Sequence, residues 1–490
     1  AMKSKWIVLC CLVLSLAWIP TAGAQGVFVV TPTGVDDTAN LQAAFNAAVA
    51  AGPGSVVELA EGDFYLSAPI VVNDFSGVFR GQGSASSIIH MKPGTPFGLR
   101  PDGLPYYLPP ATMFFLMYHQ DGMALRWESM SLDLVEKSTP WWRGQWVNYL
   151  WPIWLEGVGE GVPSVRQVDT TWWDLRVKGD YGPDYVNIGF NLASVLGRYL
   201  SGTHSVTNCH FDTIEYGMFF GFYNDSNITV GGPRPQDQVT FHNIRYGVVS
   251  MNGTNCEVEV LNARAWNDEG FPVQGEALWV AVPTNVQLRM SGVETENMSG
   301  AVLTARAFGM CSGAPSTLLF EHNVIRQLPG TAWAGFEIHE DCAVKSSIVI
   351  RHNRIEGAGS PPWGPIWTSG AHDAVIANNI LTGSGPAAIY LGLPGKGDSG
   401  LTLVGNNVQG WNGMTGIVLG KATSGITVVG SGDLSEKVVD LTDNPATPEY
   451  DGANILVGVN SAGAGIGQTV SEAMQQAIEA KQALMQATEY

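Results

Sequence analysis

The sequence predicts an all-β fold, a parallel β-helix of stacked coils, and three observations lead to it. The first is a recurring strand end. The apolar runs in "LLFEHNVIRQ", "SIVIRHNRIEG", "AVIANNILTG" and "LTLVGNNVQG" stop at Asn323, Asn353, Asn379 and Asn407, in steps of 30, 26 and 28 residues. Asn243 in "VTFHNIRYG", Asn262 in "VEVLNARAW" and Gly292 in "LRMSGVETE" extend the series towards the N-terminus. Self-similarity at such a period marks stacked supersecondary units. The second is a further short apolar run after each corner: "GAVLTAR", "GFEIHED", "GPIWTSG", "AAIYLG" and "GIVLG". One coil then reads strand, corner, loop, strand, loop. The third is the lack of helical periodicity between the runs, which leucine-rich or helical repeats would show. On this reading Asn353 is a corner residue, bonded to its equivalents one rung away, about 4.8 Å. His242, His322 and His352 read as strand-end residues rather than ligands.

Taken in order, residues 1–24 read as a secretory signal peptide. Lys3 and Lys5 precede an apolar stretch from Trp6 to Ile19, and Ala22-Gly23-Ala24 offers a cleavage site before Gln25. No other stretch is apolar enough for a membrane span, and the expected localisation is secreted, extracellular or periplasmic. Residues 25–96 form the N-terminal end and first coils. Asp37 or Thr38 starts a short helix with apolar spacing at Leu41, Ala44, Phe45, Ala48 and Val49, and Gly52 and Gly54 end it. Strands are expected at Val56–Leu59, Ile70–Val72 and Val78–Phe79. The Asp-Asp-Thr of residues 36–38, the helix, the Gly-rich turn into "VVEL", "GDFYL" and "GQGSASSII" resemble the pectate-lyase-like superfamily. That resemblance implies a right-handed single-stranded parallel β-helix with an N-terminal capping helix, extending to about residue 460. It carries no activity with it, since lyases, hydrolases, epimerases, tailspikes and adhesins share the framework. Their catalytic patterns (Asn-Thr-Asp, Asp-Asp and Gly-His-Gly in the coils, Arg-Ile-Lys, Arg-x-Pro-x-x-Arg, Tyr-Gly-x-Asp-Pro-His) do not occur here; "RIE" at 354–356 is the nearest fragment.

Residues 97–190 read as early coils interrupted by long aromatic loops, with seven of the 16 Trp between Trp141 and Trp173. Residues 191–460 are the regular stack. Residues 461–490 hold a helix from about Ser471, with Ala473, Met474, Ala477, Ile478, Leu484 and Met485 largely on one face. It caps the solenoid or docks a partner.

The 490 residues are 45% apolar and 14% charged, a globular composition, with 59 Gly and 27 Pro for frequent turns. The net charge of −19 excludes nucleic acid and anionic membranes as general partners, and argues against a strongly anionic substrate. Beyond the signal peptide lie Cys209, Cys256, Cys311 and Cys342. Cys311 and Cys342 stand 12 and 11 residues before Asn323 and Asn353, so successive coils bring them together as an expected disulfide. No zinc pattern, metal site or cofactor is indicated, and nothing in the sequence calls for Ca²⁺. The oligomeric state is open.

Alternation in "GFEIHED" places Phe336 and Ile338 inward, and Glu337, His339 and Asp341 outward. Thr304 and Arg306 of the coil before, and Thr368 of the coil after, are expected beside them. Glu337, His339, Asp341 and Arg306 are the candidate catalytic set, since an outward His among carboxylates and an Arg has the parts of an acid/base site. The loops entering these strands carry Trp266, Asp268, Glu269, Trp333, Trp363 and Trp411, with Glu294 and Glu296. Stacked Trp and hydroxyl-binding carboxylates suit a glycan groove. The expected function is a secreted polysaccharide-degrading enzyme, glycoside hydrolase or polysaccharide lyase. The alternatives are a non-catalytic glycan-binding or adhesive protein, or a structural assembly protein. Glu337 and Asp341 are four residues apart, about 13 Å along a strand. A hydrolytic pair therefore needs a second coil or a loop acid such as Glu269.

Overall fold

The computed structural model describes residues 26–91, 111–134, 149–161, 163–179, 186–187, 198–221, 223–271, 275–281, 283–306, 314–328, 334–340, 342, 345–358, 364–392, 396–408, 410–420, 422–430, 437–440, 454–457 and 460–462. The expected signal peptide and C-terminal helix lie outside them. Within them, no helix is long and apolar enough to cross a membrane.

Strand pairing is parallel and runs from each coil to the next. A coil contributes three strands, one more than the repeat predicts. In the coil around Asn323 these are Thr317–Glu321, Val324–Gln327 and Phe336–Glu340. Each pairs with its equivalent one coil later: Ser347–Arg351, Arg354–Ala358 and Ile366–Ser369. The strand missed from sequence is the short one after the corner, where "VIRQ" is too brief to show a period.

The corner has two adjacent rows. One holds residues in the left-handed region: Asn262, Gly292, His322, His352, Asn378 and Gly405, with φ between 49° and 67°. Asn and His tolerate this conformation better than most residues, and Gly adopts it freely. The exposed rings of His322 and His352 stack in this row, 5.2 Å apart. The next row points inward. It reads Asn323, Asn353, Asn379 and Asn406, all buried. Each Nδ2 donates 2.9 Å to the Oδ1 of the next. The Asn353 expectation holds. Asn262 and Gly292 belong to the neighbouring row, and Asn406 rather than Asn407 continues the ladder. In earlier coils the inward row is Cys209, Val239, Ala263 and Val293, as the backbone bonds of the following residues show. Cys209 and Cys256 are free and buried, and burial pushes their thiols up to about 12 and about 11. Cys342 is disulfide-bonded. Cys311 lies outside the described residues.

The first coils fill their interior with aromatics. Helix Thr38–Ala51 buries Leu41, Phe45 and Ala48. Phe45 meets Phe75, Phe79 and Phe114, and Trp127 meets Phe79, Phe114 and Trp172. Of the Trp-rich segment, Trp172 is core and Trp173 is exposed; residues 135–148 are not described.

Candidate functional site

Two outward faces of the solenoid carry the candidate residues, and they differ. The first runs along the third strand of each coil. Phe336 and Ile338 point into the core as expected. Glu337 and His339 point out of the coil, yet are 1% and 4% exposed. Their side chains meet, His339 Nε2 lying 2.8 Å from Glu337 Oε1. The Trp367 ring meets His339 edge-on at 4.5 Å. The same row holds Val249, Trp367, Tyr390 and Val418, all buried. Phe219 and Trp279 of the same row are half-buried, and around Glu337 and His339 the face is covered and not solvated as expected.

Register corrects the rest of the proposed set. Arg306 pairs with Glu340, and Ala305, not Thr304, stands beside His339. Arg306 is therefore one position out of phase with Glu337 and His339. Asp341, Trp333 and Trp363 lie outside the described residues. Thr368 points inward beside Ile338 and donates 2.5 Å to the buried Asp398; Trp367 takes the outward place beside Glu337. Burial pushes the Asp398 carboxyl up to about 6. Trp411 is 9% exposed and belongs to the core cluster, so it is no sugar platform.

The second face runs along the short strand after the corner. Its outward row reads, rung by rung, Tyr65, His90, Asp133, Lys178, Asp212, His242, Trp266, Glu296, Arg326 and Glu356. Its inward neighbours, such as Phe64, Ile89, Leu132, Val177, Phe211, Phe241 and Ala265, are core. Here alternation gives a polar surface that is half-exposed or exposed.

His242 is the centre of this face. Its Nδ1 lies 2.9 Å from Asp212 Oδ1 and its Nε2 lies 3.1 Å from Asp268 Oδ1. Trp266 stacks on the imidazole at 4.9 Å and 25°. The Arg264 guanidinium also engages the Trp266 ring at 4.8 Å and reaches Glu296 at 3.3 Å. Asp268 is held by a reciprocal pair with Asn243. Its own N–H donates 2.8 Å to Asn243 Oδ1, and Asn243 Nδ2 donates 2.9 Å to its Oδ2. Asn243 has φ 49°, which turns the chain between two sheets and frees its side chain for this role. Asn267 secures the same loop by exchanging bonds with the Ile244 backbone. The bonds from Asn243 and His242 hold the Asp268 carboxyl below its ordinary value. One coil back, burial lowers His210, whose Nδ1 lies 2.5 Å from Thr240 Oγ1. Glu269 is exposed beside Asp268. Of the expected groove residues, the structure thus gathers Trp266, Asp268 and Glu269 and adds Asp212 and His242. The signal for the added pair was the step from Asp212 to His242, one 30-residue coil. The described residues hold no group of three or more His, Cys, Asp or Glu arranged for a metal ion.

Both nitrogens of the His242 imidazole thus face carboxylate oxygens, an arrangement in which a histidine can pass a proton. The cluster is a half-exposed proton donor beside a carboxylate.

No family model matches the chain, and no curated protein matches it. Among solved structures it is similar to the A-module of mannuronan C-5 epimerase AlgE6 of Azotobacter vinelandii, with 13% identity over 87% of this chain and 96% of that one and a TM-score of 0.44. It is similar to the N-terminal fragment of bacteriophage phi29 gene product 12, with 15% identity over 94% and 73% and a TM-score of 0.48. It is also similar to the catalytic unit of the GH87 α-1,3-glucanase of Streptomyces thermodiastaticus, with 12% identity over 88% and 67% and a TM-score of 0.39.

Proposed function

We propose that this chain is an exported right-handed β-helix protein, capped by helix Thr38–Ala51, that cleaves a polysaccharide laid along the Tyr65–Glu356 row. The observation that carries the reading is the imidazole of His242 bridged by Asp212 and Asp268 on an accessible face. The reaction is hydrolysis of a neutral glycan. The glycosidic C–O bond breaks as the leaving oxygen takes the proton of the Asp212–His242 pair. Water adds at the anomeric carbon and gives its proton to Asp268. Four carboxylates, Asp63, Asp133, Asp212 and Asp268, with the single cation Lys178 between Asp133 and Asp212, line this part of the face and suit hydroxyl donors; their excess negative charge disfavours a uronate. The disulfide at Cys342 supports an oxidising compartment, and with it export.

The test is reducing-end release from a panel of glycans, read beside ultraviolet absorbance of unsaturated uronates, which separates hydrolysis from elimination. His242→Ala and Asp268→Asn are expected to lower turnover by about two or more orders of magnitude. Full activity in both variants would remove the chemistry from this face. A non-catalytic glycan-binding role is the second reading. Ion pairs on the same face, Arg264–Glu296 and Arg326–Glu356, favour it, because they hold the surface together without a ligand. Binding without cleavage across the panel would establish that role.

A further inference from the structure

The arrangement at His242 occurs a second time on the same row. His90 Nε2 lies 2.8 Å from Asp63 Oδ1, and its Nδ1 lies 3.7 Å from Asp133 Oδ2. An aromatic ring from the adjacent coil stacks on the imidazole, here Tyr65 at 5.0 Å and 17°. The cluster is open to solvent: the side chains of His90, Asp63 and Asp133 are 25%, 53% and 29% exposed. His90 and His242 are four rungs apart on one line, with Asp133, Lys178 and Asp212 between them. Rung spacing makes that about 19 Å.

The two clusters differ in one respect that assigns their roles. At His242 both nitrogens are within hydrogen-bond distance of a carboxylate. At His90 only Nε2 is, since 3.7 Å is too long for such a bond. His90 therefore makes one close carboxylate contact where His242 makes two, and lacks the two-sided bridge on which the proposed cleavage rests. It keeps the features that bind a sugar: a stacked aromatic pair at the surface and two carboxylates able to accept from hydroxyls.

We infer that Tyr65, His90, Asp63 and Asp133 form a remote, non-cleaving subsite for the same neutral glycan, so that the ligand is a chain long enough to span both clusters. This rests on the glycan reading of the face. Binding energy gathered at the far cluster favours long chains over short ones.

The experiment measures KM for a size series of oligosaccharides of the glycan that the enzyme cleaves. In the wild type, KM is expected to fall once the chain reaches both clusters, by roughly five- to tenfold. Tyr65→Ala and Asp63→Asn flatten this dependence, and Tyr65→Phe, which keeps the ring, retains most of it. A length dependence that survives in both Tyr65→Ala and Asp63→Asn overturns the inference, as does a wild type with no length dependence. Either result leaves cleavage at His242 standing. Neither turnover nor binding at any length overturns the glycan reading itself, and the subsite with it.

Discussion

The row through His242 and the row through His339 are built alike. Both lie on parallel strands stacked coil on coil, and both point away from the core. One presents His242 at 22% side-chain exposure beside carboxylates and an aromatic ring. The other holds His339 at 4% among Glu337, Trp367 and a row of buried apolar residues. The difference teaches that outward from a coil does not mean exposed. A parallel sheet covered on both sides reads as near-continuous apolar sequence, whereas one with a solvated face alternates. "GVVSM", "EALWVA", "AAIYLG" and "GIVLG" are continuous; "HFD", "TFH" and "RAW" alternate.

The largest expected effect separates the two rows by stability. His339→Ala removes a buried hydrogen bond to Glu337 and the ring packed against Trp367, and is expected to cost about 2–4 kcal/mol, read by denaturant unfolding. A cost near zero would mean that this face opens to water.

Next comes the inward Asn row, which neither outward face touches. Asn353→Leu removes an acceptor for Asn323 and a donor to Asn379, and leaves both in the core. The expected loss is about 1–3 kcal/mol, and a neutral result would show the ladder to be replaceable, as Val293 and Ala263 replace it in earlier coils.

Two glutamates sharpen the comparison through pH. Burial raises Glu321, but Arg351 and Arg289, at 2.7 and 3.0 Å, outweigh it and leave the carboxyl below its ordinary 4.5. A depressed carboxyl stabilises the fold above its unfolded pKa, and that contribution is lost as pH falls through the folded value. Burial dominates at Glu215 and leaves it raised despite Arg245 at 2.9 Å. Its contribution is present below the unfolded value and lost as pH rises through the folded one. In melting curves from acid to neutral pH, Glu321→Gln is expected to flatten the acid loss, and Glu215→Gln to act with the opposite sign. The same sign in both variants would contradict the assigned environments.

The smallest effect belongs to the exposed row. Arg326→Ala breaks a pair to Glu356 between half-exposed side chains and is expected to change stability by about 0–1 kcal/mol.

Much of the fold was legible because stacking imposes a period that residues must respect. Asn353 revealed its buried ladder through spacing alone. The third strand per coil was not legible, since four residues such as "VIRQ" show no periodicity of their own. The site was only partly legible. Trp266, Asp268 and Glu269 fall together beside His242, whereas the expected catalytic set was placed on "FEIHE", where Glu337 and His339 are buried. Its alternation is real; its burial is set by its neighbours in other coils. Arg306 was misplaced by one residue, because register between coils depends on the loop that joins them. His242 was read as a strand-end residue rather than a ligand, and Asp212 was not singled out, because neither makes a motif by itself. They meet only when the chain is wrapped with a 30-residue coil.

The most direct measurement pairs the two histidines: turnover on a cleaved glycan and melting temperature, in His242→Ala and His339→Ala side by side. The account predicts that His242→Ala loses about two or more orders of magnitude in turnover with its melting temperature nearly unchanged, and that His339→Ala loses melting temperature first. Turnover abolished in a well-folded His339→Ala, with His242→Ala fully active, would place the chemistry on the buried row and contradict it.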